Sequence, residues 1–328
     1  MTTPDAGSRL AYLGPDGTFT HEAALRWAQA PGAHGIGLEA VRTVAEVYDG
    51  VESGAFTHGV VAIESSVEGY VVPSLDAIVS AENVVAVDET FVEIAFDAFA
   101  RPGATEQVTQ VTSHPHGLAQ CQSFVTGRDL LAVPAASNAA ACRDVQAGQL
   151  ALGPRICGEL YGLQTVARGV EDFHGARTRF LLVTSRDVAA RARPAALDGD
   201  AWRTMLAITP HATGPGVLAR ITQAFGALGV NLSSLITRPV KALEGRYVFI
   251  VTIDGAPWDT GVRGVLEGLL AAGDSLKTLG VLPARGELDG TVDAHRVPSG
   301  SVRVDASDAV LDRGLLWSPA VTDGVVGS

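Results

Sequence analysis

From Arg9 to about Ser185, short apolar and β-branched runs alternate with Ala-rich segments of helical spacing. This alternation constrains the fold strongly, because it is typical of α/β layer folds with a largely parallel sheet. Four of the runs, LAYL, GVVAI, QVTQVTS and LLAVPAA, lead through a turn into a helical pattern. Ligands bind beyond the carboxyl ends of parallel strands, near helix N-termini, so we expect functional residues in these four turns.

The four turns carry polar side chains from which a binding site could be built. They are Thr18 in the first turn, Glu64, Ser65 and Ser66 in the second, His114 and His116 in the third, and Ser137 and Asn138 in the fourth. Thr18 and Ser137 are also suited to cap the helices that follow. The first turn, GPDG, lacks the spacing of GxGxxG and GxxxxGK[ST], so the sequence does not indicate a nucleotide site.

A second pattern occupies residues 204–283. The segments TMLAITP, VLARITQAFGALG, VNLSSLITRPV, RYVFIVTID, VRGVLEGLLAAG and LKTLGVL predict the order βαββαβ, which is a ferredoxin-like arrangement. Residues 186–203 have little core-forming pattern and are predicted to be a linker. Residues 284–328 are rich in Gly, Val, Asp and Ser without sustained periodicity, which predicts a mostly disordered tail.

The composition argues against several classes of partner. With 24 Lys+Arg against 36 Asp+Glu, the formal net charge is −12, and no basic cluster suggests a nucleic acid or an anionic membrane. Cys121, Cys142 and Cys157 lack metal-ligand spacing and cannot all pair with one another, so we expect reduced thiols. We see neither a signal-peptide core nor an apolar run of about 18 residues, and therefore expect a cytoplasmic protein.

Several motifs together resemble one enzyme family. The series YLGPDGTFTHEAAL, GVVAIESSVEGYVVPSLDAI, EIAFDAFARPG, SHPHGLAQCQ, SNAAAC and GARTRFLLV, over roughly residues 9–185, resembles the prephenate dehydratases. Residues 204–283 resemble the ACT regulatory domain that follows in that family. The resemblance implies a catalytic domain with two lobes, like a periplasmic binding protein, and a site in the cleft between them. One lobe would comprise about 9–93 plus 177–185, and the other about 94–176.

The resemblance also implies a reaction and its residues. Prephenate would lose carbon dioxide and water to give phenylpyruvate in L-phenylalanine biosynthesis, without a metal or an organic cofactor. The implied catalytic residues are Thr178 of the TRF motif and Glu64, whose pKa burial would raise. A Thr hydroxyl is too weak an acid to release a proton at neutral pH, so it would hydrogen-bond the leaving hydroxyl. The predicted substrate contacts are Thr18, Ser65, Ser66, His114, Ser137, Asn138, Arg179 and Phe180.

The ACT resemblance implies L-phenylalanine as a feedback effector, bound where two ACT units pair in a homodimer or homotetramer. The predicted effector residues are Gly214, Pro215, Gly216, Val217, Leu218, Asn231, Leu232 and Ser233. Two positions depart from the family's pattern. Ser65 stands where the family usually has Asn, and Ile236 replaces the Glu of an ESRP motif, which removes a partner for the effector's ammonium group.

Three alternatives stay open at this point. A non-aromatising prephenate decarboxylase would share the scaffold, although Thr178 favours dehydration. A non-catalytic amino-acid sensor would keep the fold without the chemistry, which Ser65 and Ile236 allow and the intact TRF motif opposes. An extracytoplasmic solute-binding protein would share the two-lobed fold but would require a signal peptide.

Overall fold

The computed structural model describes residues 8–30, 35–103, 107–191, 201–239, 247–285, 301–302 and 306–315. The chain forms two compact units, Met1–Leu288 and Asp289–Ser328. The smaller unit contains helix α11 (Asp308–Leu315), and most of the predicted tail lies outside the described residues. In the described ranges, no helix is both long and apolar enough to cross a membrane.

Up to residue 191, the described residues of the larger unit form eleven strands and eight helices. The strands are β1 (Arg9–Leu13), β2 (Gly37–Val41), β3 (His58–Ser65), β4 (Gly69–Tyr70), β5 (Val84–Glu93), β6 (Asp97–Ala100), β7 (Gln110–Ser113), β8 (Leu131–Pro134), β9 (Gln149–Gly153), β10 (Gln164–Ala167) and β11 (Arg177–Ser185). The helices are α1 (Phe19–Ala28), α2 (Val44–Glu52), α3 (Val72–Ser80), α4 (Pro115–Gln120), α5 (Gln122–Thr126), α6 (Asn138–Arg143), α7 (Ile156–Leu160) and α8 (Arg186–Arg191).

These strands form two sheets. The first contains β2-β1-β3-β11-β5, with β4 paired to β3, and the second has the order β10-β6-β9-β7-β8. Strand β11 returns to the first sheet and runs antiparallel to both β3 and β5. The predicted two-lobed α/β fold is confirmed. The predicted lobe boundaries stay a prediction, which the assignment of residues 9–93 and 177–185 to the first sheet supports.

Residues 202–283 fold in the expected order βαββαβ. The elements are β12 (Trp202–Thr209), α9 (Val217–Ala227), β13 (Leu232–Pro239), β14 (Tyr247–Asp254), α10 (Thr260–Ala271) and β15 (Ser275–Pro283). The strand order β13-β14-β12-β15 is antiparallel throughout. The predicted linker therefore contains structure at both ends, because α8 follows β11 directly and β12 begins at Trp202.

In the C-terminal sheet, β13-β14-β12-β15, strands β12 and β14 are buried on both faces because apolar residues occupy both of their faces. Leu206 and Ile208 of β12 pack with α9 and α10, whereas Met205 and Ala207 belong to a core shared with β3, β11, α2 and α3. Strand β15 also pairs with β5 at Gly280, where a Cβ atom would lie 2.9 Å from the Ala86 Cβ atom. A glycine at this position therefore permits the two parts to share one ten-stranded sheet.

Candidate active site

Strands β3 and β11 bring the two predicted catalytic residues to neighbouring positions. In their antiparallel register, Glu64 lies opposite Arg179 and Ser65 opposite Thr178. Ser66 extends this pairing, since its Oγ atom accepts a hydrogen bond from the Arg177 backbone N–H at 2.9 Å. The second turn and the TRF motif, more than 100 residues apart in the sequence, therefore form one local site.

The Glu64 carboxyl group is largely buried, with 20% of the side chain exposed, and lies 3.5 Å from the Arg179 guanidinium. Burial raises its pKa, and Arg179 together with a hydrogen bond from Tyr70 partly opposes that shift. A carboxyl group that keeps its proton closer to neutral pH is suited to act as an acid. This behaviour matches the role predicted for Glu64.

Arg179 is held by a residue that the sequence analysis missed. Glu89 of β5 is fully buried and accepts a hydrogen bond from Arg179 Nε at 2.6 Å. The other Glu89 oxygen accepts from Arg203 Nη1 at 3.3 Å and from the Arg285 backbone N–H at 3.2 Å. The strand sequence VDETFVE combines apolar residues with acidic ones, and an acidic side chain buried in such a strand needs hydrogen-bond or charge partners. This requirement is the signal in the sequence that could have identified Glu89.

In the second lobe, the third and fourth turns meet through Asn138. Its Oδ1 atom accepts hydrogen bonds from Ser113 Oγ at 2.9 Å and from the His114 backbone N–H at 3.2 Å. Ser137 caps α6 by accepting from the Ala140 N–H, as its sequence position predicts. Burial, with a smaller effect of His116, lowers the pKa of His114, so its ring is neutral at pH 7 and donates through one nitrogen.

The two lobes contact each other on two sides of this region. Glu68, in the β3–β4 turn, accepts from Gln120 at 3.1 Å and lies 2.9 Å from His116 Nδ1. At the first turn, Tyr161 donates to the Asp16 carbonyl oxygen at 2.5 Å. Cys157 Sγ lies 3.2 Å from the neighbouring Gly17 carbonyl oxygen. These contacts place the polar turns of both lobes around a common region.

Some predicted substrate contacts are already engaged within the protein. The Thr18 hydroxyl caps α1 by accepting from the His21 N–H at 3.1 Å, and it donates to the Leu13 carbonyl oxygen at 3.3 Å. Phe180 is only 1% exposed and packs in the core beneath α1, which favours a packing role. The roles of these residues toward a substrate stay predictions.

The predicted effector residues form two segments, one in the turn before α9 and the first residues of that helix, and the other at the start of β13. Gly214 and Gly216 have φ angles of 133° and 86°, which only glycine adopts readily, and they shape the turn before α9. Asn231 donates to Asp254 at 2.7 Å, and Ser233 donates to the Thr252 carbonyl oxygen at 3.2 Å. The remaining residues of the two segments, Pro215, Val217, Leu218 and Leu232, lie beside these anchors in the chain.

The described residues contain no cluster of His, Cys, Asp and Glu side chains that could hold a metal ion. Cys121, Cys142 and Cys157 are buried and free. Burial raises the pKa of Cys121 to about 12, which keeps this thiol protonated and poorly reactive.

The sequence and fold of this chain are similar to those of known proteins of one family. The family model for prephenate dehydratase matches residues 10–188. The prephenate dehydratase of Corynebacterium glutamicum is 34% identical over 296 residues, covering 88% of this chain and 91% of that protein. The structure of prephenate dehydratase from Arthrobacter aurescens in complex with L-Phe is 29% identical, with a TM-score of 0.71, and covers 94% of this chain and 97% of that chain.

A structure described as a novel type of quorum quenching acylase, GqqA, has a TM-score of 0.73 and covers 84% of this chain and 98% of its own. At 24% identity, that similarity concerns the fold alone. The family model and the C. glutamicum relative agree with each other and with the motifs that meet at β3 and β11. The chain belongs to the prephenate dehydratase family.

Proposed function

We propose that this protein converts prephenate to phenylpyruvate, water and carbon dioxide. The observation that carries the proposal is the pairing of β3 with β11, which sets Thr178 directly opposite Ser65 and Arg179 directly opposite the partly buried carboxyl group of Glu64. The names of the relatives support the same reaction.

The conversion of prephenate to phenylpyruvate depends on an acid and on the exclusion of water, and it does not depend on a strong nucleophile. The bond between the ring and its carboxylate breaks, its electron pair enters the ring, and the ring hydroxyl leaves with a proton as water. In this scheme the Thr178 hydroxyl holds the departing oxygen by a hydrogen bond, and the proton that comes from Glu64 is relayed, because strand alternation turns these two side chains to opposite faces of the sheet. The proposed partners of the substrate's carboxylates in the second lobe are the neutral ring of His114 and the backbone N–H groups near Ser137.

Incubating the purified protein with prephenate tests the proposal directly. We expect phenylpyruvate, measured by its ultraviolet absorbance in base, and an equal amount of carbon dioxide. Carbon dioxide without phenylpyruvate would instead identify a non-aromatising decarboxylase. An amino-acid sensor would release neither product, and either result would contradict the proposed reaction.

The Ser65 hydroxyl holds the β3–β4 turn, because it accepts from the Val67 and Glu68 N–H groups at 3.3 Å each. Glu68 of this turn contacts His116 and Gln120 of the second lobe. We expect Ser65→Ala to raise KM for prephenate up to about 10-fold with little change in kcat, because each lost bond contributes roughly 1 kcal/mol. An Asn side chain can accept the same bonds, so Ser65→Asn should keep KM near or below the wild-type value. Steady-state kinetics of the two variants would contradict this if Ser65→Asn were the more damaging change.

We further propose that the βαββαβ unit of residues 202–283 is an ACT domain that binds L-phenylalanine between two copies of the chain. Within one chain the two effector segments are far apart. The 214–218 turn follows the end of β12, where Ile208 pairs with Phe249, whereas β13 begins where Leu232 pairs with Ile253. Four residues of strand separate these points, or about 13 Å. Because β13 is the edge strand, a second copy beside it could bring the two segments around one ligand.

Calorimetric titration tests the effector proposal. We expect L-phenylalanine to bind and to reduce activity about 5–150-fold, the range that typical coupling free energies of 1–3 kcal/mol give. Ile236 leaves no acidic partner at that position for the ammonium group of the effector. We therefore expect L-phenylalanine to bind more weakly than in family members that have Glu there, or another apolar amino acid to be preferred. Titration with L-tyrosine and L-tryptophan checks selectivity. Absence of heat from all three at millimolar concentration would contradict an effector site here.

A further inference from the structure

A chain of polar side chains connects strand β13 to the Glu64 carboxyl group. Ser234 Oγ of β13 lies 2.6 Å from Tyr70 Oη, although the two residues are 164 positions apart in the sequence. Tyr70 lies opposite Glu64 in the β3–β4 pairing, which puts the two side chains on the same face of the sheet as neighbours, and the Tyr70 hydroxyl lowers the pKa of Glu64. When Glu64 is ionised its carboxylate only accepts hydrogen bonds, so in that state Tyr70 is the donor toward Glu64 and accepts from Ser234.

The backbone of β13 directs Ser234 to this contact. The pairing of β13 with β14 shifts register between Leu232 and Ser234, as in a β-bulge. A one-residue shift reverses which face of the sheet the following side chains occupy. Ile236 accordingly packs against the core shared with the catalytic part, and Arg238 donates to both Asp76 oxygens of α3 at 3.0 Å.

Tyr70 is a suitable link because it keeps its proton. Burial raises the pKa of Tyr70 to about 12, so its hydroxyl remains a donor throughout the neutral range. An aromatic side chain with only two rotatable bonds also holds its hydroxyl in a defined position at little entropic cost.

We propose that Tyr70 is a positioning residue for Glu64, and that its hydrogen bond to Ser234 makes the orientation of this carboxyl group depend on strand β13. The inference rests on the proposed function, since it concerns the support of the proposed acid. It adds a physical route between the two parts of the chain. A displacement of the effector segment Asn231–Ser233 moves Ser234, the next residue of the chain. Tyr70, which contacts Ser234, then changes its position relative to Glu64.

The pH dependence of kcat/KM tests the proposal. Besides Tyr70, the charged groups that act on Glu64 are Arg179 from β11 and Arg203 from β12, and both remain in a Tyr70→Phe variant. Loss of the donor removes an interaction that lowers the pKa of Glu64, so the carboxyl group stays protonated to higher pH. We expect the alkaline limb to move up by about 1 pH unit and kcat to fall about 10-fold, with KM nearly unchanged.

Variants at Ser234 separate positioning from packing. Ser234→Ala should move the limb in the same direction by a smaller amount, whereas Ser234→Thr keeps the hydroxyl and should restore the wild-type limb. Asp76→Asn is the matched control, because it weakens the other polar contact of β13 with the catalytic part without touching Tyr70. If Tyr70→Phe does not fold, as judged by circular dichroism, the Ser234 pair carries the test.

The outcomes distinguish this inference from the proposed function. An active wild-type protein whose alkaline limb is unmoved in Tyr70→Phe and Ser234→Ala would overturn the positioning role alone. A shift in Asp76→Asn as large as that in Ser234→Ala would also overturn it, because any loosening of β13 would then suffice. A wild-type protein that forms no phenylpyruvate would contradict the proposed reaction itself.

Discussion

Replacing Thr178 by Val should lower kcat for prephenate about 10²–10³-fold, by analogy with the loss of one transition-state hydrogen-bond donor. Thr178 is 9% exposed and lies on β11 between Ser65 of β3 and Val92 of β5. Val is β-branched like Thr and has similar strand propensity, so the sheet should form normally. The variant therefore removes the hydroxyl while keeping the backbone that positions Glu64. Steady-state phenylpyruvate formation and a circular dichroism melt measure the two effects separately.

Thr184→Val on the same strand is the matched control. Thr184 is 1% exposed, and its hydroxyl donates to the Thr57 carbonyl oxygen at 2.8 Å, at the end of β11 away from Glu64. This change should cost about 1 kcal/mol of stability and leave kcat near the wild-type value. Equal kcat values in the Thr178 and Thr184 variants would remove Thr178 from the proposed chemistry.

Glu89→Gln should lower the free energy of unfolding by about 3–5 kcal/mol, because it leaves buried arginines without their counter-charge. Glu89 is fully buried, Arg179 is 5% exposed, and the Arg203 side chain is 15% exposed. Gln has nearly the same shape as Glu, so the loss reports charge pairing and not a cavity. We expect a lower urea midpoint and also a lower kcat, since Arg179 would no longer be held beside Glu64.

An exposed ion pair provides the comparison for Glu89. Arg9 and Glu39 lie 2.9 Å apart with side chains 51% and 47% exposed, so Glu39→Gln should change stability by less than about 1 kcal/mol. Similar urea midpoints for the two variants would show that the buried network contributes no more than a surface pair. Such a result would also remove the argument that Glu89 holds Arg179 in place.

The alternation of strand and helix patterns determined most of the fold. Buried strands such as β3 and β11 have apolar runs, and α1 has its apolar residues at helical spacing, because each local segment must bury its own face. The βαββαβ order of the C-terminal part followed from the same patterns. The end of the predicted linker stays a prediction, and in the structure β12 begins at Trp202, which pairs with Pro283 of β15.

Short motifs in the sequence named the residues of the candidate site, whose roles stay predictions. Glu64, Thr178 and Arg179 lie in motifs that resemble the family, and strand ends placed His114, Ser137 and Asn138 in turns. That resemblance could name these residues, but it could not show that the Ser65 hydroxyl holds its own turn or that Phe180 lies in the core. Such details depend on which backbone groups lie within hydrogen-bond reach after folding.

Only the tertiary structure decided how the parts of the chain support one another. Glu89 meets Arg179 across 90 positions, Tyr70 meets Ser234 across 164, and Glu68 meets His116 across 48. These contacts arise from strand register, the bulge in β13 and the packing of one sheet face on the catalytic core. Residue periodicity reports which face of an element is buried, whereas the partner on that face is set by the packing of distant elements. The sequence by itself therefore determined the elements, their order and the residues proposed to carry the chemistry, and tertiary packing decided which side chains hold those residues in place.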